Sequence, residues 1–77
     1  MLPLGTERAH LSLADRHMAE GRLRIRNQIR VIRTLRAAGF ADDEALRLLR
    51  LIRAIQETGR KHRRFIVQEL LRSLQRP

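Results

Sequence analysis

The stretch LRAAGFADDEAL, residues 35–46, decides the fold that this sequence predicts. Gly39 interrupts a long run with helical periodicity, and Gly is the residue expected just after a helix end. Asp42, Asp43 and Glu44 follow shortly, and acidic side chains favour a helix N-terminus because they complement the helix dipole. A turn of three or four residues makes two helices antiparallel neighbours. We therefore predict an all-α protein, an antiparallel two-helix hairpin.

The helical period extends outward from this turn in both directions. It predicts a first helix over about residues 11–38, a turn at 39–41 and a second helix over about 42–75. Residues 1–10 contain a Pro and a Gly and are expected to form a flexible N-terminal tail. The 77 residues thus make a single hairpin domain.

Steps of three and four residues trace a heptad stripe in each predicted helix, and the two stripes would form the seam. Matching them across the turn places Gly21 opposite Gly59. We interpret that pair as a close approach of two backbones, with a helix kink as the alternative. Gln28 is polar at a seam position, and it either fixes the register or points outward. The predicted seam consists of Leu11, Ala14, Met18, Gly21, Ile25, Gln28, Ile32 and Leu35 in the first helix, and of Ala45, Leu48, Ile52, Ile55, Gly59, His62, Ile66 and Leu70 in the second.

One side of the predicted hairpin is apolar and would be uncovered in a single chain. A chain of this length buries a modest part of its surface and needs a further stabilising element. The sequence has no Cys, which excludes disulfides and zinc–thiolate sites. We therefore expect a homodimer in which two hairpins form a four-helix bundle. The residues predicted to mediate self-association are Leu13, Val31, Leu35, Leu51, Ile55 and Phe65, with Ala38 and Leu48 beside them.

The opposite side is basic, and the chain has a net charge of +9 with sixteen Arg and one Lys. This composition predicts an anionic partner, either an acidic protein or a nucleic acid. A solvated helix face, partly paired with Glu20, Glu57 and Glu69, is the alternative interpretation. Two Phe and no Trp or Tyr argue against modules that stack single-stranded bases on aromatic side chains. The residues predicted to face the partner are Arg22, Arg26, Arg30, Arg33, Arg53, Arg60 and Arg64.

His17, Glu20 and His62 are the residues that come closest to a chemical site. In the predicted register His17 and Glu20 lie one turn apart, and His62 lies across the seam. Three ligands are too few for a closed structural metal site unless a dimer supplies more, so a hydrogen-bonded His–Glu cluster at an interface is favoured over a metal. The sequence has no phosphate-binding loop and no metalloprotease motif. We expect no enzyme activity, no cofactor and no small-molecule substrate.

Several motifs follow one another along the chain: DRHMAEG at residues 15–21, LRAAG ending at Gly39, Glu44-Ala45, and His62-Arg63. In this order and spacing they resemble a group of small bacterial helical-hairpin proteins with the pattern RH-x-AEG, LxxxG, EA…LL and HR…I. The resemblance covers about residues 15–71. It implies a helical hairpin, and it implies no activity, cofactor or site residue.

The remaining features concern location and function. No apolar run approaches the ~18 residues that a membrane span needs, and residues 1–10 lack the pattern of a secretory leader, so we expect a cytoplasmic protein. The favoured function is a small basic helical interaction or adaptor protein that self-associates through its apolar flank. A non-sequence-specific nucleic-acid-binding protein that uses Arg-rich helix faces is one alternative, and an accessory subunit of a larger assembly is the other.

Overall fold

Two α-helices account for almost all of the described chain. The computed structural model describes residues 4–75, with α1 at Leu4–Ala37 and α2 at Asp43–Gln75. The helices pack against each other in antiparallel directions, and the molecule measures 63 × 15 × 14 Å. The prediction of an all-α two-helix hairpin is confirmed, with no strand among the described residues. Within residues 4–75 no third element covers either side of the seam.

The prediction of a flexible tail over residues 1–10 is wrong for most of that segment, because α1 begins at Leu4. Glu7 lies in the first turn, where its negative charge complements the helix dipole. Glu7 is also buried against α2, and its Oε1 accepts a hydrogen bond from Ser73 Oγ at 3.3 Å. Packing against the end of α2 thus stabilises the first turns of α1. Residues 1–3 of the expected tail lie outside the described residues.

The turn between the helices has the geometry of a Schellman motif. Gly39 has a φ of 76°, as expected for a residue just after a helix end, and its N–H donates to Arg36 O at 3.1 Å. Phe40 N–H donates to Leu35 O at 2.9 Å, which completes the motif. Asp42 then occupies the N-cap position of α2, and its carboxylate pairs with Arg36 across the turn.

The seam of α1 follows the predicted stripe, whereas the seam of α2 departs from it at three positions. Leu48, Ile55 and His62, which were predicted to lie in the seam, are exposed. The residue after each of them is buried or half-buried instead. The other five predicted positions of α2 remain in the seam, so α2 is rotated by about half a residue, roughly 50°, relative to the prediction. It is rotated because Gln56 and Arg63 have partners on α1 that hydrophobic periodicity does not reveal. The buried apolar side chains among the described residues are Ala14, Met18, Ile32, Leu49 and Ile66.

Gly21 does not face Gly59, so the predicted approach of two backbones is wrong. Gly21 lies against the side-chain amide of Gln56, and a Cβ added at Gly21 would come within 2.6 Å of Gln56 Cδ. Gly59 lies against Met18, whose Sδ would be 3.3 Å from an added Cβ. Each glycine therefore makes room for a longer side chain of the other helix, in the way that large and small residues interdigitate in a packed layer.

Two glutamines, one from each helix, donate hydrogen bonds across the seam. Gln28 Nε2 donates to Ala45 O at 2.8 Å, and Gln56 Nε2 donates to Met18 O at 2.9 Å. Of the two interpretations of Gln28, the structure supports the one in which its side chain lies in the seam. Both acceptors are main-chain atoms at fixed positions along the opposite helix. The two bonds therefore favour one register of α1 against α2, as buried polar residues do in coiled coils.

Candidate functional site

An exposed apolar flank runs along one side of the hairpin. It is formed by Leu13, Val31, Leu35, Leu48, Leu51, Ile55 and Phe65. All of these side chains except the half-buried Leu35 are between 46% and 61% exposed. The residues predicted to mediate self-association therefore lie at the surface of the single chain, where a partner can reach them.

Helix geometry places these residues on one surface. A groove of about 500 Å³ lies between the helices on this side, and Arg24 and Thr58 contribute to its lining. Val31 lies one heptad beyond Arg24, and Leu51 and Phe65 each lie one heptad from Thr58, so they share helix faces with groove residues. The groove and the apolar flank are therefore parts of the same side of the molecule.

The groove contains the three residues considered as a metal candidate. His17, Glu20 and His62 all line it. Within residues 4–75, however, no group of three or more His, Asp or Glu side chains is arranged to hold a metal ion. Glu20 pairs instead with Arg24 one turn later, at 3.8 Å. The three residues therefore form a polar patch in the middle of the apolar flank.

The seven arginines predicted to face an anionic partner form a basic side. Arg22 and Arg60 come from different helices and line one depression of about 410 Å³ on the other side of the seam from the groove. Arg26 and Arg33 line a second depression of about 320 Å³. The basic side is defined here as Arg22, Arg26, Arg30, Arg33, Arg53, Arg60 and Arg64.

Most arginines of the basic side have no carboxylate partner among the described residues. Within the described part of the chain, Arg60 alone among the seven forms an ion pair, at 2.9 Å from Glu57 Oε2. The chain has no acidic residue from Gly21 to Ala41, a stretch that contains four of the seven arginines. Glu20 and Glu69 pair with Arg24 and Arg72, which lie outside the basic side. Within residues 4–75, the partial pairing with Glu that the alternative interpretation expects therefore holds for Arg60 alone among the seven.

Sequence periodicity does not reveal two interactions that orient these surfaces. The first is the hydrogen bond from Gln56 to Met18, and the second is the ion pair between Arg63 and Asp15. Both place a polar residue of α2 at a seam position, where a hydrophobic pattern predicts an apolar residue. The signal that could have indicated them is heptad spacing, because Gln56 and Arg63 lie one and two heptads after Leu49. By rotating α2, these interactions enlarge the exposed apolar flank.

The apolar flank and the basic side are the two extended exposed surfaces of the described hairpin. No protein-family model, no curated protein and no solved structure matches this chain. Between residues 4 and 75, neither helix has a segment that is both long and apolar enough to cross a membrane. The apolar flank and the basic side differ in chemistry and lie on different sides of the hairpin.

Proposed function

We propose that this chain is a small basic helical interaction protein of the cytoplasm that self-associates through its apolar flank. Two hairpins would place their flanks face to face and form a four-helix bundle, the arrangement in which helix pairs of this kind bury their apolar sides. A closed two-fold dimer is the commonest homo-oligomer and uses the same patch of both copies. The basic sides would stay on the outside of this bundle.

The observation that carries this proposal is the imbalance between buried and exposed apolar side chains. Among the described residues five apolar side chains are buried, and none of them completely. Ten large apolar side chains are exposed, and six of these lie on the apolar flank. Full burial of one such side chain contributes about 1.5–3 kcal/mol. Even partial burial of six from each copy can therefore offset an association cost of roughly 4–15 kcal/mol.

A matched pair of leucine variants tests the proposal by sedimentation equilibrium. We expect the wild-type chain to be a dimer at tens of micromolar. Leu51→Glu should dissociate it, because the variant would bury a charge in an apolar interface. Leu23→Glu is the control, since Leu23 is 56% exposed against 57% for Leu51 but lies on the back of α1, facing away from α2. The control should remain a dimer.

Three outcomes decide the test. A wild-type monomer at tens of micromolar would overturn self-association. Equal dissociation by Leu51→Glu and Leu23→Glu would show that the flank is not the interface. If circular dichroism shows that Leu51→Glu has lost helix, Phe65→Glu places the charge elsewhere on the same flank, and it must dissociate the dimer with its helices intact.

A further inference from the structure

Six arginines of the basic side form one continuous band across both helices. Arg30, one heptad after Leu23, lies on the back of α1 beside this band. Met18 lies level with Gly59 along the rod, so Arg53 lies close to the level of Arg22. The α1 arginines extend from there toward the turn, and the α2 arginines extend toward the chain termini. At 1.5 Å per residue the combined band is about 30 Å long. The depression shared by Arg22 and Arg60 connects its two halves.

The length of this band and its excess of positive charge match a linear polyanion. The acidic side chains beside it are already paired, Glu57 with Arg60 and Asp15 with Arg63. A nucleic-acid duplex makes one turn in about 34 Å and carries a negative charge per about 1.7 Å of its axis. Guanidinium groups bind phosphate oxygens in a bidentate geometry. Five of the six arginines of the band have no ion-pair partner among the described residues, so binding them breaks no existing pair. We infer that the band binds the phosphate backbone of double-stranded nucleic acid.

The positions of the aromatic residues favour a duplex over a single strand. Phe65 belongs to the apolar flank and Phe40 to the turn, so neither lies in the band. The chain has no Trp or Tyr. Proteins that bind single strands use such side chains as platforms on which bases stack. Contacts to phosphates alone position a protein on a duplex but carry no sequence information, so binding should be independent of base sequence.

This inference goes beyond self-association and does not depend on it. The band lies on the other side of the seam from the apolar flank, so a dimer formed through the flank leaves both bands accessible. The monomeric Leu51→Glu variant should therefore retain the salt dependence of duplex binding. Loss of the dimer and loss of duplex binding are then separate results with separate causes.

Fluorescence anisotropy with a labelled random-sequence DNA duplex of about two helical turns measures the interaction. Six to ten phosphate contacts reduce the affinity about 10³–10⁵-fold between roughly 50 and 200 mM salt, and we expect a dependence of this kind. The triple variant Arg22→Gln, Arg26→Gln and Arg33→Gln should reduce the slope of log affinity against log salt by about three. It should weaken binding roughly a hundredfold near 100 mM salt.

The matched control removes the same charge from outside the band: Arg16→Gln, Arg24→Gln and Arg47→Gln. Arg16 and Arg47 lie on the backs of their helices, and Arg24 lines the groove. This control should keep the salt slope of the wild type. An equal loss in both triple variants would show that net charge alone binds the duplex, which overturns the assignment to the band.

Three further results would overturn the inference. The first is the absence of binding at low salt, and the second is binding that does not respond to salt. The third is preference for another polyanion: polyglutamate or anionic vesicles that compete with the duplex at equal charge concentration would assign the band to an acidic protein or a membrane surface. Circular dichroism of the triple variants checks that their helices are intact.

Discussion

The side-chain amide of Gln56 occupies the space beside Gly21 that a larger residue at position 21 would need. From this position Gln56 Nε2 donates to Met18 O, 2.9 Å away on the other helix. Gln56 is 8% exposed, so losing the bond would leave a buried amide without a partner, at a cost of about 1–3 kcal/mol. The absence of a side chain at Gly21 and the buried amide of Gln56 therefore depend on each other.

Gly21→Ala should destabilise the hairpin although alanine is the better helix former. The added Cβ would lie 2.6 Å from Gln56 Cδ and would displace the amide from its acceptor. A gain in helix propensity of about 1 kcal/mol offsets part of that cost. We expect a net loss of about 1–2 kcal/mol in the free energy of unfolding, which lowers Tm by roughly 4–8 °C per kcal/mol.

Gly59→Ala is the control for this variant. Its Cβ would meet only the flexible end of Met18, 3.3 Å from Sδ, and a methionine side chain can adapt to that contact. The control should leave Tm unchanged or raise it. Thermal unfolding followed by circular dichroism at one fixed protein concentration measures both variants. A Tm for Gly21→Ala at or above that of the wild type would contradict the role assigned to Gln56.

The same relationship predicts non-additivity between positions 21 and 56. Gln56→Ala alone removes the hydrogen bond and should lower the free energy of unfolding. In that background Gly21→Ala meets only a short side chain, so it should become stabilising by up to about 1 kcal/mol. A double-mutant cycle measured by denaturant unfolding should give a coupling energy of about 1–3 kcal/mol. Additive effects would show that the two residues act independently.

The helices and the turn could be predicted because their signals are local. Gly39 after a helical run and the acidic residues before the next run depend on their sequence neighbours alone. Glu7 shows the limit of such signals. Glu7 lies four residues before Leu11 and so continues the heptad stripe of α1. Because it is charged, the hydrophobic pattern stops at Leu11, and the residues before Leu11 were predicted to form a tail. The burial of Glu7 depends on Ser73, which lies 66 residues later in the chain.

The rotation of α2 could not be predicted because two heptad stripes compete in its sequence. One stripe passes through Ile55 and the other through Gln56, and hydrophobicity alone favours Ile55. In the structure Gln56 lies in the seam, because Gly21 leaves space for its amide and Met18 O accepts its hydrogen bond. The apolar flank could still be predicted in outline, since the chain has more apolar residues than a two-helix seam can bury whichever stripe is used.

Gly39→Ala should reduce the free energy of unfolding by about 1–2 kcal/mol, because a φ of 76° is unfavourable for a residue with a Cβ. Gly5→Ala is the control. No atom lies within 4 Å of a Cβ added at Gly5, and its φ is not positive. Thermal unfolding should show a lower Tm for Gly39→Ala and an unchanged or higher Tm for Gly5→Ala. Equal Tm values for the two variants would show that the turn does not need its left-handed residue.

The distribution of charge predicts how two hairpins are arranged if they self-associate. Residues 21–56 form the half next to the turn and carry nine Arg and three acidic residues, whereas the rest of the chain carries eight basic and five acidic residues. A parallel dimer would place the two more basic halves side by side. An antiparallel dimer places each of them against the less basic half of the partner and so reduces the repulsion.

Cysteine cross-linking distinguishes these two arrangements, since the chain has no native Cys. Ile55 lies midway between the levels of Leu13 and Val31. An antiparallel dimer whose two-fold axis passes at the level of Ile55 therefore brings Leu13 of one copy opposite Val31 of the other. Mixed Leu13→Cys and Val31→Cys chains should then form a disulfide-linked dimer on mild oxidation, detected by non-reducing electrophoresis. Leu13→Cys alone should not, because about 27 Å along the rod would separate its two thiols, far beyond the Cα–Cα limit of about 7 Å. Leu23→Cys, on the back of α1, gives the background. Efficient cross-linking of Leu13→Cys with itself would exclude the antiparallel dimer.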